Sequence, residues 1–148
     1  MRRSAWLLAV VVFLAVVSAN MASDENGQTL RVQVTYTGPG AVDEGHRIFI
    51  SVFDTSYIGH QGVVPLATLS LTGNGQTASF KDLQKSPVYA AAFYDKAGGY
   101  DPAASDSPPS GAPAGLYGKQ PGIADPVALE AGKTAEIEMT FDDTIKMP

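Results

Sequence analysis

The chain has 148 residues and a formal net charge of −5, which allows one domain with a hydrophobic core. It contains no cysteine, so a disulfide framework, a thiol nucleophile and a zinc–thiolate site are excluded. Its acidic residues are dispersed, which argues against nucleic acid or an anionic membrane as the partner, because both require clustered lysine and arginine.

The first 22 residues have the three parts of a secretory signal peptide. Arg2 and Arg3 precede an apolar run of 13 residues, Ala5 to Val17, and small residues follow. A spanning helix needs about 20 apolar residues, so a cleaved signal is favoured over an uncleaved anchor. Cleavage after Ala19 or Ala22 removes both arginines and changes the net charge from −5 to −7. We therefore expect a periplasmic or secreted protein with no segment inserted in the membrane.

Strand patterns follow, with no helical periodicity outside the signal region. Residues 23–28 are polar and are predicted to form a flexible lead-in. Residues 30–36 alternate between apolar and polar, as a half-buried strand does, and residues 46–54 are apolar on both faces, which indicates a central strand. Further strands are predicted at 63–73, where Pro65 indicates an edge or a bulge, and at 76–83, 87–95, 127–129 and 135–141.

About seven short strands separated by turn signals predict an all-β domain at residues 29–143, with a C-terminal tail at 144–148. The predicted architecture is an antiparallel β-sandwich of the immunoglobulin-like or transthyretin-like type, and a barrel is the other solution. Residues 95–122 are rich in Pro, Gly, Ala and Ser and are predicted to form one long loop, either functional or mobile. The residues predicted to lie in the core are Val32, Val34, Ile50, Ile137, Met139 and Phe141.

Three groups of residues in the second half of the chain carry a resemblance. They are Tyr89, Ala91, Phe93 and Asp95 at the end of one strand, Gly115, Tyr117 and Gly118 after the long loop, and Gly132 and Thr134 at the start of the last strand. In this pattern the chain resembles the transthyretin-like or carboxypeptidase-regulatory-like modules of bacterial exported proteins. The resemblance implies a β-sandwich with a binding or accessory role and no catalysis. It implies no particular ligand.

The aspartates that follow the fifth predicted strand are candidate ligands for a calcium ion. Asp95, Asp101 and Asp106 would supply carboxylate oxygens, and backbone carbonyls would complete the six to eight oxygens that calcium requires. The related domains place oxygen-bearing side chains at alternate positions of this loop, where the present chain has Ala97 and Gly99. The favoured interpretation is therefore that Asp95 caps a turn by accepting backbone N–H groups. No other cofactor is predicted.

Four residues in predicted loops form a candidate binding surface for an unknown protein or carbohydrate partner, since exposed aromatic side chains offer a large contact area and a polar edge. They are Tyr57, His60, Tyr100 and Tyr117. The favoured interpretation is that these residues fill the ends of the sandwich.

Enzymatic function is not favoured by the motifs. Transthyretin-like folds include a hydrolase of 5-hydroxyisourate that requires a His/Arg/His cluster, and His46, Arg47 and His60 are the residues here that could approach it. The remaining signature of that enzyme is missing from the sequence. The sequence therefore favours an exported, non-enzymatic binding or accessory module. The alternatives are a structural envelope-associated protein, a weakly calcium-stabilised domain and such a hydrolase.

Overall fold

The computed structural model describes residues 27–105 and 107–148, in which there are seven β-strands and no α-helix. The predicted signal peptide, nearly all of the lead-in and Asp106 lie outside the described residues. Within the described part of the chain, no helix has the length and apolar character needed to cross a membrane. The strands are β1 (Gln28–Tyr36), β2 (Ile48–Phe53), β3 (Ala67–Leu71), β4 (Thr77–Leu83), β5 (Tyr89–Tyr94), β6 (Ala114–Leu116) and β7 (Thr134–Phe141).

The strands form two sheets that face each other across an apolar core. The first sheet has the order β4-β1-β7 and the second has the order β3-β2-β5-β6. The prediction of an all-β sandwich with about seven strands is confirmed. One pair departs from the predicted antiparallel arrangement, because β7 runs parallel to β1, with Thr29 opposite Thr134 and Tyr36 opposite Phe141.

The core lies between the sheets because alternate residues of each strand point inward. Central strand β2 is buried at five of its six positions, which fits its apolar sequence. Ile137 was predicted in the core but is only partly buried at its periphery, because β7 is an edge strand of the first sheet. The other predicted core residues are all buried: Val32, Val34, Ile50, Met139 and Phe141.

The sixth strand differs from the prediction. Val127 forms only an isolated bridge with Val88, and the strand that completes the second sheet is β6, which lies inside the predicted loop at 95–122. A Cβ atom on Gly115 would approach the Cβ of Phe141 to 2.5 Å. This close contact between β6 and β7 requires a residue without a side chain, so the strand has a composition that is typical of a loop.

The rest of the long loop covers the outer face of the second sheet. Phe49 and Phe93 are opposite each other on β2 and β5, point away from the main core, and stack with their ring centroids 5.2 Å apart. Residues 111–114 pair with the C-terminal segment, since the N–H of Gly111 donates to the carbonyl of Met147 at 2.9 Å. This second apolar cluster is completed by Tyr100, Ala112, Ala114 and Met147.

Candidate functional site

Asp95 lies directly after β5 and is the one charged residue that is buried among those the structure describes, with 3% of its surface exposed. Its Oδ1 accepts a hydrogen bond from the N–H of Gly98 at 3.1 Å, and its Oδ2 accepts one from the N–H of Tyr100 at 2.8 Å. Its own N–H donates to the carbonyl of Arg47 at 2.9 Å. These bonds have the geometry of the turn cap that the sequence favoured.

The capped turn places the ring of Tyr100 over the second apolar cluster. This ring meets Phe49 edge to face at 5.0 Å and Phe93 at 5.2 Å. Asp101, the next residue, is exposed and caps a turn of its own, because its Oδ1 accepts the N–H of Ala103 at 2.9 Å. The segment 95–103 is thus ordered by its own aspartates.

An open cleft of about 360 Å³ lies beside this turn, on the outer face of the second sheet. Its lining contains the carboxylates of Glu44, Asp95 and Asp101 and one cation, Arg47. Arg47 Nε donates to the backbone carbonyl of Glu44 at 2.9 Å. The residues described contain no group of three or more His, Cys, Asp and Glu that could hold a metal ion, and the third predicted ligand, Asp106, is not among them. The calcium site therefore stays a prediction.

His46 lies next to this cleft and is engaged with a carboxylate. Its Nδ1 is 2.9 Å from Asp43 Oδ1, which also accepts the backbone N–H groups of Gly45 and His46. The hydrogen bond from the His46 side chain and those from the two backbone groups lower the pKa of Asp43 below its usual value. This acid–histidine pair orders the loop that leads into β2.

The second histidine lies at the opposite end of β2. His46 precedes this strand and His60 follows it, and a strand of six residues extends about 20 Å. The two histidines and Arg47 therefore do not assemble into one cluster. His60 instead contacts Tyr57, with the two rings edge to face at 5.5 Å and a backbone hydrogen bond from His60 N–H to the Tyr57 carbonyl.

The β2–β3 loop, residues 54–66, exposes apolar surface as well as this ring pair. Tyr57 is 66% exposed, Val64 is 72% exposed and Leu66 is 40% exposed. The sequence pattern indicated Tyr57 and His60 but not Val64 and Leu66. The absence of charged residues could have indicated these two side chains, because residues 55–80 contain no Asp, Glu, Lys or Arg.

The four residues of the candidate binding surface are divided between two ends of the second sheet. Tyr57 and His60 follow β2, and Tyr117 follows β6; both strands end on the same side because β5 runs antiparallel between them. Tyr117 is half-buried against the main core. Tyr100 follows β5 and lies at the other end. The structure thus brings Tyr57 and His60 into contact and separates both from Tyr100.

Comparison with models of known protein families, with curated proteins and with solved structures gives no match. The resemblance to transthyretin-like and carboxypeptidase-regulatory-like modules therefore rests on the residues that carry it and stays a hypothesis. A functional proposal must therefore be argued from the exposed residues of the structure.

Proposed function

We propose that the chain is an exported, non-enzymatic β-sandwich module that binds a partner through its β2–β3 loop. The observation that carries this proposal is the exposed ring pair of Tyr57 and His60, in a loop that also exposes the side chain of Val64. Apolar side chains exposed together on one loop of a small soluble domain are candidates for an interaction site. Tyrosine combines a large apolar ring with a polar hydroxyl group and is enriched in such contacts.

A protein is the partner class that the surface favours. The branched side chains of Val64 and Leu66 are exposed and offer no hydrogen-bonding groups, so they suit an apolar protein surface better than the hydroxyl groups of a sugar. A carbohydrate is the second candidate, because the exposed ring of Tyr57 could stack on a sugar ring. Neither partner requires a cofactor.

The separation of the histidines supports a non-enzymatic role. A hydrolase of the transthyretin-related kind requires His and Arg side chains in one pocket, whereas β2 separates His46 and Arg47 from His60. The residues at the cleft are engaged in local structure, since Asp95 caps a turn and Asp43 holds His46. Export to the periplasm or beyond rests on the N-terminal sequence pattern.

The strand order supports the transthyretin-like type of sandwich over the immunoglobulin-like type. In the constant-type immunoglobulin sandwich, the first, second, fifth and fourth strands share one sheet and the third, sixth and seventh share the other. Here β1 lies between β4 and β7, and β2 lies between β3 and β5. A structure determined by crystallography would test this assignment through the neighbours of β1.

Site-specific photocrosslinking in cells that express the full chain tests the binding surface. A photoreactive phenylalanine analogue replaces Tyr57 in one variant and Ile123, an exposed residue on a different loop, in the control. We expect a covalent protein adduct of defined mass from position 57 and none from position 123. Val64→Asp should then weaken binding of the purified adduct partner at least tenfold.

Affinity electrophoresis in gels that contain bacterial polysaccharide tests the carbohydrate alternative. Slower migration of the wild type that is lost in Tyr57→Ala would assign the loop to a sugar. If position 57 yields no adduct and no polysaccharide slows migration, the loop is not a binding surface and the proposal is wrong.

A further inference from the structure

Three of the four edge strands carry features that prevent pairing with another chain. On β7, the exposed residues Glu136 and Glu138 place charges on the edge. On β4, Lys81 and Asp82 accompany a shift in the register with β1, and Asp82 has a positive φ of 56°. β6 is three residues long, and the N–H of its Ala114 donates to the C-terminal segment. Charge, irregularity and coverage therefore protect these edges.

The fourth edge strand, β3, has none of these features. Its sequence, Ala-Thr-Leu-Ser-Leu, contains no charge and no proline, and it pairs with β2 in an unbroken register. Leu69 lies opposite the fully buried Ile50 on the inward face, yet it is 38% exposed. The sandwich is therefore open at Leu69, whereas Leu71, at the end of the strand, is buried. A regular, apolar and uncharged edge strand is a template for pairing with another strand.

The chain segment that contains β3 is also uncharged, although on the outer face Ser70 borders the cleft that contains Glu44, Arg47, Asp95 and Asp101. Residues 55–80 form the β2–β3 loop beyond Asp54, β3, the following turn and the first part of β4, and none of them is Asp, Glu, Lys or Arg. The whole chain has 15 acidic and 10 basic residues. Two copies of an acidic protein repel each other over most of their surfaces, and this repulsion is lowest along a segment that carries no charge of its own. This relationship favours a second copy of the same chain as the occupant of the β3 edge.

We propose that β3 pairs antiparallel with β3 of a second copy, around a two-fold axis at Leu69. Leu69 then lies opposite Leu69 of the second copy, which covers its exposed surface, and Thr68 lies opposite Ser70 of the second copy. The two sheets become one continuous sheet of eight strands. The two β2–β3 loops lie at opposite ends of the shared strand pair, and the observations that support the dimer do not depend on the proposed binding partner.

Sedimentation equilibrium of the protein recovered after expression of the full chain tests the dimer. We expect a mass twice that of the monomer at high concentration for the wild type, and the monomer mass for Leu69→Lys at the same concentration. Ile123→Lys, which adds the same charge at an exposed apolar residue outside the uncharged segment 55–80, should remain a dimer. Circular dichroism tests whether each variant is folded. If Leu69→Lys does not fold, Ser70→Lys, at an exposed residue on the outer face of β3, replaces it. A wild type that is monomeric throughout, or a dimer that these β3 lysines leave intact, would overturn the proposal.

Cysteine crosslinking tests the position of the two-fold axis, because the natural chain contains no cysteine. Opposed residues of an antiparallel pair have Cα atoms about 4.5–5.5 Å apart, which lies within the range that a disulfide bridges. Leu69→Cys treated with oxidised glutathione, which accepts the two electrons and two protons of the paired thiols, should therefore give a covalent dimer. Ile123→Cys should stay monomeric on a non-reducing gel. Equal crosslinking of the two variants would show that the contact is not centred on Leu69.

Discussion

The carboxylate of Asp95 accepts the backbone N–H of Tyr100 at 2.8 Å, and this bond connects the end of β5 to the ring that covers Phe49 and Phe93. The bond closes a turn that contains Gly98 and Gly99, both with positive φ, which glycine adopts without steric cost. One buried carboxylate thereby determines where the long loop starts and how it meets the outer face of the second sheet.

Asp95→Ala should lower the free energy of unfolding by about 1–3 kcal/mol, because the part-buried N–H groups of Gly98 and Tyr100 lose a charged acceptor. The near-ultraviolet circular dichroism of the aromatic cluster should weaken at the same time. Denaturant unfolding measures the first effect. Asp101→Ala, which removes an exposed cap, is the control and should cost less. If the two variants lost the same free energy of unfolding, the burial of Asp95 would not strengthen its hydrogen bonds to the turn.

Calcium should raise the melting temperature by no more than several degrees. Both oxygens of Asp95 already accept backbone N–H groups, so a bound ion would have to share or displace these bonds. A site with two or three carboxylates binds calcium at about 10⁻⁴–10⁻³ M. At 1 mM calcium a site of 0.1 mM affinity stabilises the fold by about 1.4 kcal/mol. A shift of about ten degrees between EDTA and millimolar calcium that disappears in Asp95→Asn would contradict this expectation, and differential scanning calorimetry measures it.

Gly115→Ala should destabilise the protein by about 1–3 kcal/mol, because the new methyl group would overlap Phe141 and force β6 away from β7. Gly45→Ala is the matched control, since a Cβ atom there meets Asp43 Oδ1 at 3.5 Å, an ordinary contact. Thermal unfolding of both variants measures the difference. A Gly115 variant as stable as the wild type would mean that the sheets separate at this point without cost.

The strands that alternate in sequence could be predicted because alternation is a local property. The pattern of β1 shows which of its residues face the core, and the apolar run of β2 indicates a central strand. β6 could not be found in this way, because Gly115 is required by a contact with Phe141, which is distant in the sequence. The parallel pairing of β1 with β7 could not be predicted either, because the two strands are distant in the sequence.

The candidate site was predictable only in its local parts. The Asp95 cap follows from an aspartate before two glycines, and the contact of Tyr57 with His60 joins residues three apart in one turn. Whether Tyr100 and Tyr117 lie near that loop depends on the strand order of the second sheet. The open edge at β3 likewise depends on which strand ends the sheet.

Ile50→Ala should lower the free energy of unfolding by about 2–5 kcal/mol, because Ile50 is fully buried on the central strand β2. Ile137→Ala should cost distinctly less, because Ile137 is only partly buried on the edge strand β7 and the cavity left behind opens toward solvent. Chemical denaturation of both variants tests the ranking. The opposite order would mean that the edge of the first sheet is covered.

A cluster of aromatic rings closes the end of the sandwich where β1 and β5 finish. Tyr36 and Tyr94 are both 2% exposed, and their ring centroids are 4.5 Å apart. The hydroxyl group of Tyr94 donates to the carbonyl of Ala41 at 2.6 Å. Burial raises the pKa of Tyr94 above 10.0, and the negative charges of Asp43 and Asp95 raise it further.

Stability should therefore fall in alkaline solution. The folded state holds the Tyr94 proton more tightly than the unfolded state, so this contribution is fully present below pH 10.0 and is lost as the pH rises through the raised pKa of the folded protein. Tyr94→Phe should reduce this alkaline loss, and at neutral pH it should cost about 1 kcal/mol because the Ala41 carbonyl loses its donor. Tyr36→Phe should remove a separate part of the alkaline loss of stability, since burial also raises the pKa of Tyr36. Denaturant unfolding across the alkaline range, with tyrosinate absorbance as the second measurement, tests both effects. An alkaline slope that is the same in the wild type and both variants would show that neither tyrosine retains its proton on folding.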